Sequence, residues 1–241
     1  EAGSYLGGAE VYYYPLLREN NFLPVIEDIP EDILNKTKYI VLSYPSNPVG
    51  ASAPKEMYVR MIEYAKKYNF AIINDNAYSD IIFDGREGFS FLSLPGAKDV
   101  GVEFFSLSKS YNVTGLRISF CIGNKSIIDA FKLLRSQYDF GMSYPAQKAA
   151  IAALRGPRDS VKAQCAEYQR RRDALLNGLR KYGWNVPDSH GTMFVWLPVP
   201  EGYTSASFTE ALMDKAGVIG TPGTAFVPLG EGYIRFALTK S

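Results

Sequence analysis

The sequence has 241 residues, of which 46% are hydrophobic and 21% charged, and a formal net charge of +1. Such a chain is ordinary globular protein, long enough to bury a substantial core in one large or two smaller domains. Its charge balance gives no reason to expect nucleic acid or an anionic membrane as the main partner.

A single histidine, His190, argues against a histidine-based zinc site or a serine–histidine–aspartate triad, and no metal is expected. The two cysteines, Cys121 and Cys165, sit in no ligand spacing and read as small buried apolar residues of a reducing cytoplasm. No apolar run has the length of a membrane span, and no signal peptide is visible. The chain opens Glu-Ala-Gly-Ser without methionine, which reads either as the middle of a longer protein or as a piece cut to start inside a domain.

In chain order, Tyr12, Tyr13 and Tyr14 read as packing residues of a strand. Tyr39–Ser43 is a buried strand that runs into the loop Tyr-Pro-Ser-Asn-Pro-Val-Gly. A helix follows from Pro54, with Met57, Met61, Ile62, Tyr64 and Ala65 as its apolar stripe. Phe70–Asn74 is the next strand, ending at Asp75, and a helix-like stretch and a loop through Gly96 come after it. Val102–Leu107 and Arg117–Ile122 are further strands. This alternation predicts an α/β fold with a mostly parallel sheet flanked by helices.

From Lys125 the pattern turns helical, over Lys125–Phe140, Pro145–Leu154 and Arg158–Tyr182. The basic run Arg170, Arg171 and Arg172 reads as a solvated face. Strand Met193–Val199, helix Ser205–Ala216 and strands Val218–Gly220 and Tyr233–Leu238 then form a smaller C-terminal α+β unit. Trp184 and Trp196 are expected in its core, and His190 in a turn. A boundary near Gly156-Pro157 divides a large domain, residues 1–157, from a small one, residues 158–241.

Three loops at predicted strand ends carry polar residues of different kinds, and in open α/β sheets ligands bind there. Asn47 lies in Asn-Pro-Val-Gly, Asp75 and Tyr78 in Asp-Asn-Ala-Tyr, and Ser106, Ser108 and Lys109 in Ser-Leu-Ser-Lys, with Arg117 further on. Each residue alone has a plainer role, Asp75 as a helix cap and Asn47 as a turn residue among them.

Together they match the demands of pyridoxal 5'-phosphate (PLP). Its aldehyde needs a lysine amine that can lose its charge, here Lys109. Its phosphate needs hydroxyl and guanidinium donors, here Ser106, Ser108 and Arg117. Its ring nitrogen needs a carboxylate, here Asp75, and its phenolic oxygen needs neutral donors, here Asn47 and Tyr78.

The stretches NPVG, DNAY and SLSKSYNVTGLR resemble the signatures of class I/II aminotransferases of PLP fold type I. The resemblance runs from about Gly7 to the chain's last residues, and it implies that fold, that cofactor and a homodimer. The blocks FDG, LPGAKDVGVEFFSLSKSYNVTGLRI and AAIAAL look most similar to LL-diaminopimelate aminotransferases and their relatives. By the same resemblance, Arg235 in Tyr-Ile-Arg-Phe-Ala-Leu is the residue that grips a substrate carboxylate. Members of the family are longer, so the chain reads as the C-terminal part of such an enzyme, with the large domain partial.

The implied reaction moves an amino group between an amino acid and a 2-oxo acid in the cytoplasm, with Lys109 catalytic. Two other readings stand beside it. One is a β-lyase, synthase or decarboxylase on the same scaffold; the other is an aminotransferase-like effector domain of a transcription regulator. The loop from Gly220 to Phe226 either lines the substrate side of the site or simply connects elements.

Overall fold

The computed structural model describes residues 2–240. Helices α1 (Ala2–Leu6) and α2 (Glu31–Lys36) precede strand β1 (Tyr39–Ser43). Helix α3 (Lys55–Tyr68), strand β2 (Ala71–Asp75), helix α4 (Ala97–Val100), strand β3 (Gly101–Ser106), the single turn α5 (Leu107–Ser110) and strand β4 (Ser119–Gly123) follow. The four strands form one sheet in sequential order, with β1, β2 and β3 parallel and β4 antiparallel to β3. Ser43 pairs with Asp75, and Asp75 with Phe104. The C-terminal ends of the three parallel strands are therefore level, and their loops open along one edge of the sheet.

Helix α3 buries Tyr58, Met61, Ile62 and Ala65, spaced i, i+3, i+4 and i+7, which places them on one stripe. That stripe shares a core with Ile40, Leu42, Ile72 and Phe91. Burying a side chain the size of Met61 or Ile62 contributes roughly 1.5–3 kcal/mol. The helix stops at Asn69, whose left-handed backbone (φ 56°) turns its N–H back to the Ala65 carbonyl.

Helices α6 (Lys125–Tyr138), α7 (Tyr144–Arg155) and α8 (Asp159–Lys181) lead to strand β5 (Phe194–Pro198), helix α9 (Ser205–Ala216), and strands β6 (Thr221–Pro222) and β7 (Tyr233–Ala237). The last three strands form an antiparallel sheet in the order β5-β7-β6. Val195, Leu197 and Ile234 pack there with Leu176 of α8 and Phe208 of α9. Tyr78, Ile81 and Phe83, from the loop after β2, join the same cluster. An antiparallel bridge between Ile82 and Gly191 adds a backbone link, so the small sheet is seamed to the loop that leaves Asp75.

Several sequence expectations need correction. Tyr12–Tyr14 is not a strand: Tyr12 and Tyr13 are exposed, and Tyr14 donates through its hydroxyl to the Val41 carbonyl at 2.8 Å. The stretch after Asp75 is turns and a bridge, because its apolar residues fill the seam instead of one helical stripe. The third strand of the small sheet is Thr221–Pro222, not Val218–Gly220. Gly217 ends α9 in the left-handed region (φ 63°) and Val218 N–H turns back to Leu212, which leaves Ile219 exposed. Trp184 packs on Phe208 as expected, but Trp196 joins Phe22, Tyr44 and Val49 beside the Asn47 loop. Cys121 and Cys165 are only partly buried, and the Cys165 thiol donates to the Ile82 carbonyl.

Arg172 is no part of a solvated face. It is 6% exposed, donates two hydrogen bonds to Asp84 (2.6 and 3.0 Å) and one to the Ser189 carbonyl (2.6 Å), and lies over the Phe83 ring. Arg170 does face solvent, paired with Glu167, while the half-buried Arg171 reaches both Glu167 and the Leu238 carbonyl. Along α6, α7 and the link between them, Leu133, Leu134, Tyr138, Phe140 and Tyr144 are exposed. Among the described residues no helix is long and apolar enough to cross a membrane.

Candidate active site

The first of the three strand-end loops carries Asn47. It closes on itself through Gly50 N–H to the Ser46 carbonyl (2.7 Å) and Ser46 N–H to the Ala51 carbonyl (2.8 Å). Gly50 has φ +70°, and a Cβ there would lie 2.4 Å from Ser189 Oγ, so this position excludes any side chain. The Gly50 carbonyl accepts from the N–H groups of His190 (2.8 Å) and Gly191 (3.2 Å), which fixes the loop to the small-sheet side.

Asp75 ends β2, and its Oδ1 accepts only a 3.2 Å bond from Ala77 N–H. Although the residue surface is open, crowding by surrounding protein raises its pKa above the ordinary carboxylate range, and the Ala77 bond only partly offsets this. Its two neighbours are locked from behind. Glu103 on β3 is fully buried and accepts from Asn74 Nδ2 (2.9 Å), Asn76 Nδ2 (2.7 Å), Phe91 N–H (3.2 Å) and the Ser90 hydroxyl. Only neutral donors satisfy this carboxylate, and they hold the backbone on both sides of Asp75.

Tyr78 is buried, with its ring edge-on to Phe194 at 6.4 Å. Burial pushes its phenol pKa up, the nearby Asp75 adds to this, and Arg235 and Asn47 oppose it. Lys109 Nζ stands 6.0 Å from the centre of the Tyr78 ring. Lys109 lies in α5, whose start is capped by Ser106 Oγ accepting from Ser108 N–H (3.2 Å), and Gln164 of α8 donates to the Lys109 carbonyl (2.8 Å). Ser108 is buried. Arg117 is exposed with a left-handed backbone (φ 51°), and its Nη1 donates to the Thr114 carbonyl (3.2 Å), not to either serine.

Arg235 comes from β7, on the far side of the seam. Its Nη1 donates to Asn47 Oδ1 at 2.8 Å, and its guanidinium carbon lies 4.0 Å from the Phe194 ring centre and 4.6 Å from that of Phe226. Among the described residues its buried Nε has no hydrogen-bond partner. Burial lowers the Arg235 pKa from its ordinary value.

Asn47, Tyr78, Lys109 and Arg235 are thus joined by contacts, with Asp75 next to Tyr78. Ser106 and Ser108 belong to the Lys109 turn, and the Arg117 guanidinium is turned to the Thr114 carbonyl. The donor set fits PLP: an amine beside an aromatic ring, hydroxyls at the lysine turn, and a carboxyl of raised pKa that a cationic ring nitrogen would relieve. The orphaned Arg235 Nε fits an anionic substrate group. Sequence reasoning missed Phe194 and Glu103, and reached Phe226 only as the end of the Gly220–Phe226 loop, one of whose two readings was a lining of the substrate side. Two amides flanking an aspartate, in Asn74-Asp75-Asn76, were the signal available for Glu103.

The whole chain compares closely with known proteins. The family model described as aminotransferase class I and II matches residues 3–241. The LL-diaminopimelate aminotransferase of Dehalococcoides mccartyi is 50% identical over 236 residues, 98% of this chain and 61% of that protein. The enzyme of the same name from Moorella thermoacetica is 44% identical over 239 residues, 99% of this chain and 61% of that protein. Apo-BacF from Bacillus subtilis superposes with a TM-score of 0.95 at 35% identity, over 100% of this chain and 61% of that one. An aminotransferase from Staphylococcus aureus gives 0.95 at 34% identity, over 100% and 63%. The chain therefore spans about 61% of the length of the curated relatives it matches. On the family match and these identities, the chain belongs to the class I and II aminotransferases.

Proposed function

We propose that the protein is a PLP-dependent aminotransferase that moves an amino group between an amino acid and a 2-oxo acid. The observation that carries this reading is the convergence, from both sides of one seam, of the Lys109 amine, the Asp75 carboxyl and an arginine with an unpartnered buried Nε. The cofactor, when bound, supplies an electron-withdrawing ring that stabilises negative charge at the substrate α-carbon.

This chain's residues do the rest. Lys109 Nζ would hold the aldehyde end of the cofactor and would serve as the base for the substrate α-proton. Asp75 keeps the ring nitrogen protonated. Tyr78 and Asn47 orient the phenolic oxygen. Ser106, Ser108 and Arg117 bind the phosphate, and for this the Arg117 guanidinium must leave the Thr114 carbonyl. Arg235 takes the substrate carboxylate with the fork that Asn47 steadies.

The relatives' name suggests LL-diaminopimelate as the first amino donor to try. A homodimer is proposed as well, since the exposed apolar residues of α6 and α7 form the kind of surface that another copy covers. A cytoplasmic enzyme is consistent with unpaired cysteines. A domain boundary at Gly156-Pro157 is supported by the break between α7 and α8.

The test is to incubate the protein with PLP, reduce with borohydride and map the adduct by mass spectrometry. A single pyridoxyl group on Lys109, absent from Lys109→Ala, is expected. A specific adduct at another lysine would overturn the assignment. Formation of pyridoxamine phosphate with an amino acid separates transamination from elimination.

A further inference from the structure

The environment of Arg235 goes beyond what carboxylate binding alone requires. Its guanidinium is over two phenyl rings, at 4.0 Å for Phe194 and 4.6 Å for Phe226. Its Nη1 is spent on Asn47, and its buried Nε has no acceptor. A buried N–H without a partner costs free energy until an acceptor arrives. The two rings shield the guanidinium on the sides they cover.

Phe226 is itself held rigidly. Trp196 meets it edge-on at 5.7 Å, and Tyr233 stacks on Trp196 at 5.2 Å with a 9° tilt. The loop carrying Phe226 is pinched shut by Gly223 and Gly230, where a Cβ on Gly223 would lie 1.9 Å from the Gly230 carbonyl oxygen. Phe226 N–H donates to the Gly223 carbonyl (3.0 Å) and Gly230 N–H to that of Val227 (2.9 Å). Phe194 leans on Tyr78 on the cofactor side. Among the described residues, the Phe226 ring meets Arg235 and Trp196 and its N–H bonds Gly223, none of them a predicted cofactor residue, so its effect can be isolated.

We propose that Phe226 is a positioning residue, which keeps the Arg235 fork dry and aligned and so gives the site its preference for amines that bear a carboxylate over amines that do not. This rests on the amino-acid-binding reading above. A cation held over an aromatic face gains more when water is excluded, and a charge-assisted pair strengthens with it. An amine without a carboxylate gains nothing from either effect. The loop from Gly220 to Phe226 therefore belongs to the substrate side of the site.

The experiment uses the complete natural protein loaded with PLP. Propionate, which has a carboxylate and no amine, is titrated while the tryptophan emission that includes Trp196 is followed. In parallel, kcat/KM is measured for each accepted amino acid and for its decarboxylated amine. Phe226→Ala is expected to weaken propionate about tenfold, equivalent to about 1.4 kcal/mol. It should raise KM for the amino acid with little change in kcat, and leave the amine unaffected. Phe226→Tyr should restore binding to within about twofold, since it keeps the ring. If Phe226→Ala fails to fold, Phe226→Leu is measured instead, with the same direction expected. Unchanged propionate binding in Phe226→Ala, with binding lost in Arg235→Gln, overturns the proposal alone. An equal loss for amine and amino acid also overturns it, because a merely structural role would act on both. If Arg235→Gln too leaves propionate binding unchanged, the carboxylate site itself is refuted, and the role of Phe226 with it.

Discussion

Replacing Arg172 with methionine should loosen the seam between the two sheets, and the structure lets the cost be worked out. The side chain is 7% exposed, and it makes two bonds to Asp84, one to the Ser189 carbonyl, an ion pair with the half-exposed Asp173 (2.7 Å) and a contact with Phe83. Methionine keeps most of the volume, so the change removes charge and hydrogen bonds more than packing. Breaking a buried ion pair typically costs about 3–5 kcal/mol. Asp84, however, is 41% exposed and can recover water, which calls for a discount.

What remains is mainly the stranded Ser189 carbonyl, at about 1–3 kcal/mol, and the lost contact with Phe83, at about 1 kcal/mol. A total near 3 kcal/mol lowers Tm by roughly 6–12 °C in a domain of this size. Asp84→Asn should cost less, about 1 kcal/mol, because asparagine keeps an acceptor for the guanidinium and Asp173 still pairs with Arg172 Nε at 2.7 Å. The neighbouring arginine holds the Asp84 pKa below its ordinary value. Its contribution is therefore present above the unfolded carboxylate pKa and is lost as pH falls through the lower folded value. The gap in Tm between wild type and Asp84→Asn, followed by scanning fluorimetry, should be full at neutral pH and close in the acid range. A wild-type Tm for Arg172→Met would refute the idea that this arginine ties the sheets together.

Asp75 should behave in the opposite sense. Crowding raises its folded pKa, so the ionised carboxyl costs stability at neutral pH, and that cost fades as pH falls through the raised value toward the unfolded one. Asp75→Asn should raise the Tm of the cofactor-free protein while weakening retention of PLP on gel filtration; a lower Tm would contradict the assigned strain. Gly50→Ala should lower Tm by several degrees and weaken binding of a carboxylate probe, since a Cβ would meet Ser189 Oγ at 2.4 Å in a loop that carries Asn47. Unchanged stability with unchanged binding would show that the loop yields freely.

The parallel strands were legible because each is short, apolar and followed by turn residues. Tyr39–Ser43 is read correctly to the residue, and the others shift by one or two positions at their ends. The polar set at the strand ends was legible for the same reason. Tertiary context decided the rest. Tyr12–Tyr14 has the aromatic content of a strand, but it reaches β1 through the Tyr14 hydroxyl and not through a backbone ladder. Arg172 lies four residues from both Tyr168 and Leu176, on the buried stripe of α8, but a run of three arginines hid that position. The partners of Arg235 were out of reach of local patterns, because Phe194 and Phe226 meet it only after β5 and the Gly223–Gly230 loop fold around it.

The buried carboxylate of Glu103 also guards the alignment of the strands. In the observed register Glu103 lies opposite Asn74, between Ile73 facing Val102 and Asp75 facing Phe104. A slip of β3 by one position would set Glu103 against Ile73, which offers no donor, or against Asp75, which carries the same charge. Either misalignment would also turn the side chain to the other face of the sheet, away from Asn76, Ser90 and the Phe91 N–H. Wrong pairings thus strand a charge without water or donors, a penalty far larger than an apolar residue would impose. The level edge on which Asp75 and the lysine turn stand is specified by one acid that never reaches the surface.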